Sequence, residues 1–306
     1  MSLLGIEIGG TKLQIVVGDR SARIGERHRL TVDKARGGEG IREQIAATVK
    51  LLRSKLSISA VGVGFGGPVD NSTGKICCSH QIEGWSEFPL GDWLRDLTGA
   101  PVVVDNDANV AALGEATHGS GVGANPVFYV TLGSGVGGGL VVDGKIYHGL
   151  KPGEAEIGHI RLDKSGTTVE SRCSGWAVDR TIREAIRHAP TSPLGQLVGA
   201  NSRAGEARHL AAALAQNDPL AQVILSAIAD DLAFGLSHVV QLMHPEVIIL
   251  GGGLSLVGEP LRSAVEEALS RYVMEAFAPG PKVRLATLLE DAVPVGALAL
   301  ASALKV

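Results

Sequence analysis

Cysteine is scarce in this chain. Cys77, Cys78 and Cys173 are the three present in 306 residues, too few for a disulfide framework and without the paired spacing of a metal site. That scarcity points to a reducing compartment. An excess of positive charge is also missing. Lys and Arg number 28 against 32 Asp and Glu, a net charge of -4, so there is no electrostatic footprint for DNA or RNA. An anionic substrate would have to be held by local dipoles. No uninterrupted apolar run approaches the ~20 residues needed to span a bilayer. The opening Met1-Ser2-Leu3-Leu4 passes directly into Gly5-Ile6-Glu7-Ile8, with no basic region or cleavage site of a leader. The expectation is a soluble, cytoplasmic protein with no membrane or nucleic-acid partner.

What is present is glycine, 41 residues of it. The glycines are clustered, which argues against uniform low complexity. The groups are Gly9-Gly10, Gly62 to Gly67, Gly133 to Gly139 and Gly251-Gly252-Gly253. Each follows a short apolar, β-branched run that reads as a buried strand, at 5–8, 58–63, 127–132 and 247–250. Glycine at a strand end lets a ligand approach the backbone closely.

The length predicts two domains, and 45% hydrophobic with 20% charged residues is a globular balance. Strands are predicted over 3–8, 13–18 and 23–30, a meander. Ile41, Ile45, Val49, Leu52 and Leu56 recur at spacings of three and four, predicting an amphipathic helix. Helices follow at 90–97 and 109–117, around a strand at 102–105. A hairpin reopens at 127–142, and further helices are expected at 220–240, 261–278 and 294–304. Residues 150–215 resolve only into loop and helix. A meander followed by alternating helix and strand, met twice, suggests two related α/β domains around a cleft.

Several motifs can carry chemistry. Glu7-Ile8-Gly9-Gly10-Thr11-Lys12 reads equally as an ordinary hairpin turn and as a phosphate loop. In the second reading backbone N–H groups bind phosphate, Thr11 donates a hydrogen bond and Glu7 holds hydrated Mg²⁺. Gly62-x-Gly64-x-x-Gly67 and Gly133-x-Gly135-x-x-Gly138 match a dinucleotide fingerprint by pattern alone. That fingerprint needs a helix opening at the glycines, whereas the first runs into a turn at Pro68-Val69-Asp70 and the second into a strand at Leu140-Val141-Val142. Gly133, Ser134 and Gly135 fit a second phosphate turn better. Asp105-Asn106-Asp107-Ala108-Asn109 stands where a strand meets a helix. Capping explains one of its polar residues, and a carboxylate beside a cleft can take a proton from a hydroxyl. Gly153-Glu154-Ala155-Glu156-Ile157-Gly158-His159, with Glu170 beyond it, reads either as solvated surface or as a set of polyol ligands.

Taken together, in this order, the motifs resemble those of the ROK family of sugar kinases over nearly the whole chain. The similar stretches are Glu7 to Lys12, Gly66-Gly67-Pro68-Val69-Asp70, Asn106-Asp107-Ala108-Asn109 continuing through Ala111 to Glu115, Leu132 to Gly139, Glu156-Ile157-Gly158-His159, and Ile248 to Gly253. The resemblance implies an actin-like ATPase fold, two RNase H-like domains around a central cleft. It implies a smaller N-terminal domain at 1–116, a larger one at 117–292, and a C-terminal helix at 293–306 packing back on the first. It also implies Asp107 as the base and Gly67, Asn106, Asp107, Glu156, His159 and Glu170 at the sugar. Gly9, Gly10, Thr11, Lys12, Gly133, Ser134, Gly135, Gly251 and Gly252 would line the nucleotide, with Glu7 on Mg²⁺ through water.

Three departures qualify the match. Glu7 stands where the commonest motif has Asp. The zinc-binding members carry three cysteines after the Gly-His pair, whereas Val169 to Trp176 offers Cys173 alone, so no zinc is expected. That stretch resembles the zinc-free bacterial glucokinases, which is why Glu170 is carried over as a sugar ligand. The family's repressors place a helix-turn-helix before the first motif, and with only a few residues ahead of Glu7 no DNA-binding domain is expected. The implied partners are a small sugar and ATP; relatives are often homodimers, and the sequence itself leaves the oligomeric state open. The implied reaction is phosphorylation of a hexose, glucose first. The alternatives are fructose or an N-acetylhexosamine as substrate, ADP or polyphosphate as donor, or a non-catalytic sugar sensor. An actin- or chaperone-like ATPase with a protein partner finds no support in the loop at 153–170.

Overall fold

The computed structural model describes residues 2–79, 82–150, 153, 155–199 and 202–304. The chain opens with strands β1 (Ser2–Ile8), β2 (Lys12–Gly18) and β3 (Ile24–Thr31), helix α1 (Gly37–Arg53) and strand β4 (Ile58–Phe65). A two-residue ladder, β5 (Val69–Asp70) with β6 (Lys75–Ile76), then leads to α2 (Leu90–Thr98), β7 (Val102–Asn106) and α3 (Asp107–His118). Thus Pro68-Val69-Asp70, expected as a plain turn, starts a short antiparallel pair. The first sheet has the order β3-β2-β1-β4-β7. Its meander strands are antiparallel, and β1, β4 and β7 are parallel.

The second sheet repeats that order as β10-β9-β8-β11-β12. Its strands are β8 (Val127–Leu132), β9 (Val136–Val142), β10 (Lys145–Ile146), β11 (Val247–Gly251) and β12 (Lys282–Leu285). Between β10 and β11 lie α4 (Val169–Cys173), α5 (Gly175–His188), α6 (Pro193–Val198), α7 (Leu210–Ala215) and α8 (Pro219–Met243). Helix α9 (Glu259–Ser270) precedes β12, and α10 (Ala292–Ala303) closes the chain. The helix expected over 261–278 ends at Ser270, because the chain turns at Arg271–Met274 and forms a separate short turn, Glu275–Phe277, before entering β12. Tyr272 and Val273, an aromatic and a β-branched residue, are poor helix formers that would have had to carry it on.

The central strands are apolar on both faces because both faces are covered. Ile6, Val61, Val63 and Ile248 to Leu250 are fully buried. Among the described residues α8 is the helix long and apolar enough to cross a membrane by length and composition. It is a core helix, with Ile228, Leu232 and Leu236 buried.

The chain divides into two compact units: Met1–Gly123, Gly139–Ala155 and Leu288–Val306 form the first, Ala124–Gly138 and Glu156–Thr287 the second. Within the first, α10 lies directly against β4 and α3. A Cβ at Gly62 would collide with the Ala297 carbonyl, and one at Gly296 with the Val110 carbonyl. Gly62, one of the fingerprint glycines, therefore serves helix-to-strand packing and no ligand.

Candidate active site

In the first unit, three motifs far apart in sequence converge. Strands β1, β4 and β7 are adjacent and parallel, so their C-terminal ends emerge side by side. The end of β1 opens the Gly9-Gly10-Thr11 turn, the end of β4 carries Gly66-Gly67, and the end of β7 delivers Asn106-Asp107. Gly66 is the point of closest approach. A Cβ placed there would lie 3.3 Å from Asp107 Oδ2, 3.3 Å from the Ile8 carbonyl and 3.5 Å from Gly9 Cα. The Gly66 N–H donates to that Ile8 carbonyl at 2.8 Å. Asp107 itself is half-buried.

The cluster of four polar residues around Asp107 divides its labour. Asn106 caps α3, its Oδ1 accepting from Ala108 N at 2.8 Å and Asn109 N at 3.3 Å. Its Nδ2 donates to the Gly67 carbonyl at 3.2 Å, which ties the β4 loop to the β7 end. Asp105 is buried and accepts from the Asn106 N–H at 2.8 Å and from Asn109 Nδ2 at 3.1 Å. Asp107, at the first position of α3, is the member placed beside the glycine loops.

At the first glycine turn, Gly9 N–H donates to the Lys12 carbonyl at 2.9 Å. Glu7 lies opposite Gln14 in the β1–β2 register. Its Oε2 accepts from Gln14 Nε2 at 2.7 Å and sits 3.4 Å from Lys12 Nζ. Burial holds the Glu7 carboxyl above its ordinary value, against the opposing pull of Lys12 and Gln14. Gln14 is a supporting residue that reading by motif missed. It is buried between Leu13 and Ile15, and the hairpin register would have exposed its partnership.

Mg²⁺ keeps several waters and takes one or two carboxylates besides phosphate oxygens, so the single Glu7 carboxylate meets the requirement for a water-mediated contact. Among the described residues no group of three or more His, Cys, Asp or Glu side chains gathers as a metal cluster. Cys173 is buried, and burial pushes its thiol upward.

The second unit carries the other expected residues. Gly133 N–H donates to the Gly135 carbonyl at 3.0 Å, and the Gly175 N–H donates to the Gly133 carbonyl at 2.7 Å. Glu170, on α4, accepts the Val136 N–H on Oε2 at 2.9 Å. One oxygen of this expected sugar ligand is therefore committed to the base of the Gly133-Ser134-Gly135 turn. Ser134 is exposed. Gly251 ends β11 packed on Tyr129, and Gly252 follows with φ +78. Glu156 and His159 are exposed on either side of buried Ile157-Gly158, where a Cβ on Gly158 would strike the Val136 carbonyl. Glu154 lies outside the described residues.

The model of the ROK family matches residues 3–303. The chain belongs to the ROK family. It is 33% identical to a glucokinase of Halalkalibacterium halodurans, over 96% of this chain and 92% of that protein. The crystal structure of a ROK family glucokinase from Streptomyces griseus, in complex with glucose and AMPPNP, superposes with a TM-score of 0.84 at 32% identity. It covers 98% of this chain and 99% of that one. A putative xylose repressor of Caldicellulosiruptor is similar at 23% identity, over 84% of this chain and 67% of that protein. The two mixed five-stranded sheets with their helices are the actin-like ATPase fold of the ROK structures.

Proposed function

We propose that this ROK protein is an ATP-dependent hexose kinase, acting on glucose at O6, with Asp107 as its general base. The observation that carries the reading is the approach of Asp107 Oδ2 to Gly66 and of Gly66 to Gly9. It brings a carboxylate, a sugar-loop glycine and a phosphate-turn glycine into one neighbourhood of a single unit. The glucokinase names among the relatives support glucose, and the AMPPNP of the Streptomyces griseus structure supports ATP as donor. A cytoplasmic setting, where ATP is made and used, goes with that donor.

In the proposed reaction the hydroxyl oxygen attacks the γ-phosphorus of ATP. A new O–P bond forms, the bridging bond to the β-phosphate breaks, ADP leaves, and the hydroxyl proton passes to the Asp107 carboxylate. Asn106, Gly67, Glu156, His159 and Glu170 hold the sugar hydroxyls. The N–H groups of Gly9, Gly10, Gly133, Gly135, Gly251 and Gly252, with Thr11, Lys12 and Ser134, hold the phosphates and nucleotide. Glu7 would hold Mg²⁺ through water, and the ion would supply charge neutralisation on the phosphates.

The test is ADP release with glucose, fructose, mannose, N-acetylglucosamine and N-acetylmannosamine, for wild type and Asp107→Asn. Glucose should give the highest kcat/KM. Asp107→Asn should retain sugar binding while kcat falls by about 10²–10⁴-fold, the usual worth of a positioned base. Sugar binding with no sugar-dependent ADP release from the wild type would replace the kinase with a sensor.

A further inference from the structure

His148 was not among the residues singled out by motif, yet it makes a direct contact with the machinery described above. It follows β10 in the first unit, and its Nε2 lies 2.7 Å from Asp105 Oδ2. A carboxylate only accepts, so Nε2 carries the proton in this contact. Asp105 thus has both oxygens engaged: Oδ2 by His148, Oδ1 by the Asn106 N–H and by Asn109 Nδ2. Its side chain is 4% exposed and that of His148 25%.

Asn109 shows how strongly this arrangement is specified. Its amide must turn Nδ2 toward the Asp105 carboxylate, and in that orientation its buried Oδ1 is left with no hydrogen-bond partner. An orphaned buried carbonyl costs about 1–3 kcal/mol. That cost persists only where the surrounding contacts over-determine the geometry. Asp107 stands between the two asparagines that Asp105 holds, so the position of its carboxylate follows from the Asp105 contacts.

We propose that His148 is a positioning residue for Asp107, acting through Asp105. By donating to Oδ2 it fixes the rotation of the Asp105 carboxylate. Oδ1 is thereby aimed at the Asn106 N–H and the Asn109 amide, and the first turn of α3 is set with Asp107 on it. His148 also lines a cavity of about 460 Å³ with Arg20, His118, Lys145 and Asp105, all in the first unit. This inference rests on the reading of Asp107 as the base.

The experiment compares His148→Gln, whose amide can still donate to Asp105, with His148→Leu, which cannot. Steady-state kinetics are combined with hydrogen exchange of the Asn106 amide. Misplacing a reacting group by about 1 Å costs up to ~10²-fold. His148→Leu should accordingly lose about 10- to 100-fold in kcat with KM for ATP within about twofold, while His148→Gln stays within about threefold of wild type. Exchange at Asn106 should accelerate in the Leu variant and not in the Gln variant.

Unchanged kcat in His148→Leu overturns the proposal. Equal loss in both variants overturns it too, because a fold-stability role would not be rescued selectively by a donor. If His148→Leu does not fold, His148→Ala, equally without a donor, carries the same expectation, and full kcat there overturns it. Should the wild type phosphorylate none of the sugars, the kinase reading fails while the exchange measurement still decides whether His148 orders residues 106–109. Unaltered Asn106 protection then rejects the positioning role.

Discussion

Glu7 in the first unit and Glu206 in the second are both carboxylates sheltered from water with a cation nearby, and their ionisation is displaced in opposite directions. Burial pushes both upward. For Glu206 burial is again the largest single influence, but the hydrogen bond from Arg183, at 2.7 Å, the charge of that guanidinium and further backbone and side-chain hydrogen bonds together outweigh it, and the carboxyl lies below its ordinary value. At Glu7 the cation is a lysine at 3.4 Å, and burial prevails. Arg offers a planar, pre-organised donor; Lys offers a strongly hydrated point charge on a flexible stem. The difference separates a structural acid from one left incompletely compensated at a strand end where a ligand is expected. Sites of this second kind are where function tolerates a cost in stability.

Removing the guanidinium tests the structural side and should give the largest effect. Arg183→Ala leaves a fully buried carboxylate without its cation. The expected loss is about 3 kcal/mol, the low end for a broken buried pair because the Arg183 side chain is 33% exposed. Denaturant unfolding measures it. The depressed Glu206 carboxyl contributes stability that is present above its unfolded value near 4.5 and fades as pH falls through the folded value. This part of the acid limb should shrink in Arg183→Ala, and a variant that kept it in full would remove Arg183 as its main source.

The next test moves to the glycine turn. Lys12→Met should cost no more than about 1 kcal/mol, since the ion pair is partly exposed, but should raise KM for ATP. An unchanged KM would separate Lys12 from the nucleotide.

Glu7→Gln should give the smallest shift, and of opposite sign to Arg183→Ala. The raised Glu7 carboxyl takes stability away as pH climbs above 4.5 towards its folded value. The glutamine variant should therefore gain a small increment in Tm at neutral pH relative to pH 4, while losing Mg²⁺-dependent turnover. A lower Tm at pH 7 than at pH 4, relative to wild type, would show that its bonds to Gln14 and Lys12 outweigh the cost of burying its charge.

The fold was largely legible because its signals are local. The apolar runs at β1, β4, β8 and β11 end in glycine, and their period and length identify buried strands with little help from the rest of the chain. Asp107 stood out because four polar residues between apolar segments exceed what a cap requires. The overrun of α9 past Ser270 came from extending apolar spacing across Tyr272-Val273, where local pattern does not register the turn into β12. His148 carried no signal at all: a single histidine after a short strand has no distinguishing neighbours, and its partner Asp105 is 43 residues away.

Taken alone, the order of residues determined the duplicated strand and helix pattern, the glycine-bearing strand ends and the standing of Asp107 as a candidate, since each depends on neighbours within a few positions. Only the tertiary structure decided which carboxylates are compensated and which are not. It also decided that one oxygen of Glu170 is spent on the Val136 amide and that His148 reaches Asp105. Those outcomes are set by distances of about 3 Å between side chains tens of residues apart, and by the loss of water around them. Neither quantity is written in the spacing of residues along a chain.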